Sequence, residues 1–264
     1  MRSRVLQGVG RYHLVVTIPG SPDQTPHPAD VGVEEVGHTH ANVAGGRLRA
    51  ATFGAMDGLV TNISLVAGVG ASGASGHTIV LSGVAGLVAG AFSMALGEFA
   101  SVSTQNEQVD AEVLVERREM RKHPREELHE LVEAFIDMGM SEQTATAAAA
   151  EIHQDTDKAV SLHLTQELGV DPDEKPSPKV AAVSSFVMFS IGAVLPLIPY
   201  LLGFESLTAG LLVGAVGLIL VGGLAARITG RPIWKGALRQ LLFGVIAAGA
   251  TYLVGFAIGV PAGG

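Results

Sequence analysis

Asp57 lies about ten residues into the apolar run 48–70, whose only other charge is Arg49 near its start. A carboxylate at that depth in a membrane span costs roughly 2.5–3.5 kcal/mol on insertion scales, which makes such an acid a functional candidate. The alternative is a helix-packing hydrogen bond to Thr61, Asn62 or Ser64. Further along, Met94 and Glu98 are four residues apart and share one helix face. A thioether and a carboxylate on one face can act as a softer and then a harder station for a transition-metal ion. Against that, Met94 suits ordinary packing, and Glu98 is close enough to the end of its run to reach water.

A second set of acids follows outside the apolar runs. Glu112, Glu116 and Glu119 repeat at i, i+4 and i+7, Glu127 and Glu130 are three apart, and Glu167 comes later. If the helices carrying them pack as a bundle, these carboxylates converge into an oxygen-rich cage. Acidic helix faces are also commonly just solvated, and the interspersed Arg residues fit that reading, so spacing alone leaves both open. Glu126-Glu-Leu-His129 contains one Glu-x-x-His, the ligand pair of ferritin-like di-iron proteins, which need two such pairs. Glu151-Ile-His153 has the wrong spacing for the second. A membrane-bound di-iron oxidase or iron store is therefore an alternative reading, but one short of ligands.

The elements that must position these groups are helices. Crossing about 30 Å of hydrocarbon takes roughly 20 mostly apolar residues, and five runs qualify: 48–70, 78–101, 180–202, 207–226 and 238–260. Many of the 34 glycines fall inside them, where small residues let membrane helices approach closely. The fold expected is an all-α integral membrane protein. It has five transmembrane helices, two in 47–101 and three in 180–264, with a three-helix domain inserted at 102–179. Residues 1–46, rich in Pro, Gly and His, read as a disordered arm. His27, His38 and His40 within it are scattered and need have no role.

The insert holds 18 of the 25 acidic residues of this 264-residue chain against eight of its 17 Lys and Arg. It concentrates the negative charge of a chain whose net charge is −8, which argues against nucleic acid as a partner. The chain has no cysteine, so any metal site must use oxygen, imidazole or thioether ligands. Basic residues cluster before the first run, in the insert (Arg117, Arg118, Arg121, Lys122, Arg125) and between the fourth and fifth runs (Arg227, Arg231, Lys235). That alternation puts the amino terminus and insert in the cytoplasm and the carboxyl terminus outside, with a bacterial plasma membrane as the expected location. Within the insert the second span continues to about residue 123. Pro124 opens a helix over 125–139, and Ser141 caps a third over 142–168 that ends at Gly169.

Three stretches in order, Gly54-Ala-Met-Asp-Gly-Leu-Val-Thr61, Ala89-Gly-Ala-Phe-Ser-Met-Ala-Leu-Gly-Glu-Phe-Ala-Ser-Val-Ser103 and Glu116-Arg-Arg-Glu119, resemble the vacuolar iron transporter family. The similarity covers about 47–260. It implies a homodimer in the lipid bilayer that exports Fe2+, and in some members Mn2+, from the cytoplasm in exchange for protons, with no prosthetic group. Asp57 and Met94 match the family's intramembrane passage residues, with Glu98 read here as a further point on the path. Glu116, Glu119, Glu127, Glu130 and Glu167 fall at its glutamate ligand positions. Where plant members carry two adjacent Met before the last Glu, this chain has His163 and Leu164. His163 can replace a thioether as a ligand; Leu164 cannot.

Overall fold

The computed structural model describes residues 47–259. The expected amino-terminal arm, with His27, His38 and His40, lies outside the described residues. The described chain is helical, without a strand, and runs as α1 (Arg47–Ala71), α2 (Gly76–Lys122), α3 (Pro124–Asp137), α4 (Glu142–Ile152), α5 (Thr156–Leu168), α6 (Pro178–Val194), α7 (Ile198–Leu201), α8 (Leu207–Ile228) and α9 (Ile233–Gly259). Five helical segments are long and apolar enough to cross a membrane. They are α1, α2, α8, α9 and the stretch Pro178–Leu201, in which α6 and α7 are joined by a single 3-10 turn at Leu195–Leu197. Pro196 and Pro199 explain that tightening, because neither has an N–H for the regular ladder.

The spans pack through small residues. α1 lies between α6 and α9, and α2 lies against α6. Close approach of α1 and α6 is set by Gly54, Gly58 and Gly192. A methyl on Gly58 would lie 2.1 Å from the Phe189 carbonyl oxygen, and one on Gly192 would lie 2.3 Å from that of Ala55. At this crossing the amide of Asn62 donates to the Ala193 carbonyl, and Ser185 Oγ donates to Ala50 O at 3.4 Å. Phe189 is fully buried with Ala91 and Ala193, and Met94 packs against that group. Phe189 is thus a shared wall between the Asp57 turn of α1 and the Met94 turn of α2.

α2 is a single helix of 47 residues, about 70 Å at 1.5 Å per residue, and no Gly or Pro interrupts its charged half. It ends where Pro124 begins α3. The expected single helix over 142–168 is corrected to two. Asp155 lies outside both, and its carboxylate accepts from the N–H groups of Asp157 and Lys158, capping α5. The chain tightens into the break through Gln154 N–H to Glu151 O and Asp155 N–H to Ile152 O. A side chain that competes for backbone N–H groups favours a cap over a helix interior. Gly169, at φ 66°, closes α5 in the left-handed region that its missing Cβ permits.

Two small cores hold these helices. Met120 of α2 packs with Ala159, Val160 and Leu164 of α5, and Leu131 and Phe135 of α3 pack on Ala145 and Ala149 of α4. Arg117 pairs with Asp157 at 2.8 Å, and Asn106 donates to Pro176 O at 3.0 Å, tying the return linker to α2. Leu164, which cannot bind a metal, is a core residue here.

The α1–α6 crossing makes a checkable demand. Gly58→Ala should cost about 1–3 kcal/mol through overpacking and lower the thermal unfolding midpoint in detergent. Gly97→Ala, with no atom within 4 Å of the added methyl, should leave the midpoint unchanged or raise it.

Candidate metal cluster and membrane-embedded acids

The break at Asp155 turns α5 back onto the charged half of α2 and brings four of the expected ligands together. Glu116 comes from α2, Glu127 from α3, and His163 and Glu167 from α5. His163 Nδ1 lies 3.4 Å from Glu116 Oε1, 3.5 Å from Glu167 Oε1 and 3.7 Å from Glu127 Oε2. Ligand atoms of Glu116, His163 and Glu167 all lie within 4.8 Å of one another. His163 is 2% exposed and Glu116 8%, so the inner part of the group is buried, while Glu167 is exposed and opens it to the surface. Glu116 Oε1 has no hydrogen-bond donor although it is buried, a state whose cost is high unless a proton or a cation neutralises the oxygen.

Glu130 borders the cluster. It lines a cavity of about 330 Å³ together with His163, Gln166 and Glu167. The Glu119 carboxylate lies instead with Lys122 at 3.9 Å and His123 at 3.8 Å. Glu112 is exposed. The Glu126-x-x-His129 pair is exposed too, and His129 lies 3.5 Å from Glu133 rather than in the cluster.

Burial, reinforced by the negative charges of Glu127, Glu167 and Glu130, pushes the Glu116 carboxyl up to about 7. Crowded carboxylates that cannot all stay ionised form a site that a divalent cation relieves. A cation bound there would displace a proton.

In the membrane-type spans, Asp57 is half-buried on α1, flanked by the two glycines that meet α6. Its candidate packing partners are committed elsewhere or left free: Asn62 donates to Ala193, and Ser64 Oγ is buried without a partner. Met94 is half-buried against Phe189. One turn on, Glu98 forms an ion pair with Arg49 of α1, the Glu98 side chain being 10% exposed. Sequence reasoning treated Arg49 only as a topology charge. Nothing in a separation of 49 residues signals the pairing. His153 was noticed only as a failed Glu-x-x-His, yet its ring packs edge-on against His163.

Five apolar helices of spanning length define an integral membrane protein, and the acid cluster beyond the second span is its candidate metal site. Residues 48–256 match the VIT family, and the chain belongs to that family. It is similar to the "Vacuolar iron transporter" of Acanthamoeba castellanii (31% identical, covering 96% of this chain and 92% of the relative). It is also similar to "Vacuolar iron transporter homolog 3" of Arabidopsis thaliana (35%, covering 78% and 80%) and to "Vacuolar iron transporter 1" of the same plant (26%, covering 81% and 88%).

The raised Glu116 carboxyl fixes a pH dependence. Folded protein holds this proton between about pH 4.5 and 7 while unfolded chain has released it, so stability falls as pH rises through that window. The loss is complete above pH 7 and amounts to at most about 3 kcal/mol. In metal-free protein, exchange protection of α5 amides, corrected for intrinsic rates, should fall from pH 5 to pH 8. Glu116→Gln should flatten that dependence.

Proposed function

We propose that this protein is an iron transporter that moves Fe2+, with Mn2+ as a second cargo, out of the cytoplasm by proton antiport. The observation that carries this reading is the convergence of Glu116, Glu127, Glu167 and His163 at the end of the same unbroken helix that carries Met94 and Glu98. The names of the relatives support iron as cargo. The distribution of basic loop residues supports a cytoplasmic insert. The membrane proposed is a bacterial plasma membrane. The relatives' printed names are vacuolar, and in the reading proposed here the ion leaves the cytoplasm.

In this reading the insert carboxylates, with Glu119 and Glu130 at their edge, capture partly hydrated Fe2+ and raise its concentration near the membrane. The ion then passes Glu98, Met94 and Asp57 as the spans rock between inward-open and outward-open states. The family resemblance points to a homodimer with the path at or near the subunit interface. The sparse intramolecular burial of α2 and α9, 17% and 11% of their apolar windows, fits a second copy or lipid on those faces. A proton arriving at Asp57 or Glu98 from outside releases the metal, because a neutral acid holds a divalent cation poorly. One site that binds either metal or proton couples the two flows.

The Arg49 guanidinium occupies the Glu98 carboxylate in this conformation, so an ion reaching Glu98 must displace it. Arg49→Gln should therefore lower the KM for metal severalfold, and Arg49→Lys should retain most of the wild-type value. Both are read as Fe2+ flux in proteoliposomes. A severalfold rise in KM for Arg49→Gln would show that Arg49 does not compete with the ion.

The decisive experiment reconstitutes the protein in sealed liposomes with a pH probe inside and Fe2+ outside. Wild-type protein should take up iron with opposing proton movement. Asp57→Asn should abolish transport while metal binding by the insert persists. Normal proton-coupled flux in Asp57→Asn would sink the mechanism. Oxygen consumption with ferric product and no uptake would replace it with an oxidase.

A further inference from the structure

The His163 ring has a second nitrogen, and the carboxylates do not use it. Nδ1 faces oxygens of Glu116, Glu127 and Glu167 at 3.4–3.7 Å. A carboxylate only accepts hydrogen bonds when ionised, and Glu127 and Glu167 flank Nδ1 beside the proton-holding Glu116, so the proton of neutral His163 is assigned to Nδ1 and the lone pair to Nε2. His153 is fixed the same way by a different group. Its Nδ1 lies 2.9 Å from Ala149 O, a carbonyl that can only accept, so its Nε2 also carries a lone pair. The His153 tautomer is assigned from its hydrogen bond, and that of His163 from the acids placed around its Nδ1. Both Nε2 atoms are buried and have no hydrogen-bond partner.

Two lone pairs cannot satisfy each other, and buried polar atoms are almost always partnered. The two rings pack edge-on with centroids 5.4 Å apart and planes at 82°. Two imidazoles held by one tetrahedral ion at about 2.0–2.1 Å from each nitrogen would have centroids about 5 Å apart. Each lone pair is left with neither a hydrogen-bond donor nor a Lewis acid.

We propose that His153 and His163 present their Nε2 atoms to one divalent transition-metal ion, forming a nitrogen station on the far side of the His163 ring from the carboxylates. This rests on the reading of the insert as a metal-collecting element and adds His153 to its ligands. The carboxylates behind Nδ1–H then do for His163 what such partners do for other metal-bound histidines: they fix the tautomer, orient the ring and raise its basicity. The Ala149 carbonyl does the same for His153. The break between α4 and α5 is what makes the pair. On one continuous helix the two residues would be about 15 Å apart along the axis. The station also sorts ions by chemistry. Oxygen ligands suit Mn2+, whereas imidazole suits Fe2+ and the later first-row metals, so the nitrogen side favours Fe2+ over Mn2+.

The test uses purified full-length protein in detergent, with Co2+ as a spectroscopic probe and Mn2+ as an oxygen-seeking control. His153→Ala should raise the Kd for Co2+ by about 10–100-fold and remove the Co2+ visible bands that need nitrogen ligation. It should leave Mn2+ binding at the carboxylates intact, which also reports that the insert is folded. His129→Ala should change neither. The amino-terminal histidines are common to all these proteins, so the difference between wild type and His153→Ala isolates this residue. X-ray absorption of wild-type protein with one equivalent of Co2+ needs no substitution and should show imidazole scattering; an all-oxygen shell overturns the proposal. So does a His153→Ala protein with unchanged Co2+ affinity and spectrum, in which case the insert still collects metal without His153. If wild-type protein binds neither ion, the metal-collecting reading itself fails, and the nitrogen station with it.

Discussion

A carboxylate withdrawn from water has to be neutralised, and much of this molecule follows from how three of them are. Glu98 is met by the Arg49 guanidinium from the neighbouring helix. Glu116 is surrounded by other acids and has the His163 ring as its nearest polar neighbour of opposite tendency, so it keeps a proton up to about pH 7. Asp57 sits half-buried between two glycines that press α1 against α6. For Glu98 the partner is a tethered cation and for Glu116 a proton, while Asp57 keeps part of its surface open. All three are states that a mobile divalent cation can exchange with, because it satisfies the same oxygens with greater charge.

That exchange needs geometry that does not relax when the ion leaves. α2 supplies it by running without a break from the apolar core into the insert. Its Met94 turn is held on Phe189, and its Glu116 turn is held on α5 through Met120, Ala159, Val160 and Leu164. The glycine contacts between α1 and α6 leave no room for side chains there, so the two helices meet backbone to backbone at the level of Asp57. Tight backbone packing beside the acid and an unbroken helix alongside it hold the membrane acids and the insert cluster in one continuous framework.

The spans, the long second helix and the helical character of the insert were legible because they depend on run length and on the absence of helix breakers. The cluster was partly legible: Glu116, Glu127, Glu167 and His163 were named and do meet, whereas Glu119 turns to Lys122 and His123. Three residues along a helix is about 300°, which sets Glu119 about 60° round from Glu116. Near Pro124 that is enough to aim a carboxylate at the turn instead of the bundle. The break at Asp155 was written in the sequence as a capping residue, but the alanine-rich run before it reads as uninterrupted helix. The Arg49–Glu98 pair could not be read locally, since it is made by the packing of α1 on α2.

Replacing a thioether pair by His163 and Leu164 changes more than one ligand. Leu164 is part of the core that seats α5 on α2, so it fixes the height of the neighbouring His163. His163 has two nitrogens facing opposite ways, where a methionine has one sulfur. Its Nδ1 is turned to the acids, and its Nε2 is buried without a partner in a ring packed edge-on against His153. An imidazole placed this way joins an oxygen-rich side to a nitrogen-rich side across the width of one ring. An ion that prefers nitrogen then has a reason to move inward that one content with oxygen lacks. Selectivity in such a site comes from that step between unlike ligands rather than from the number of acids around it.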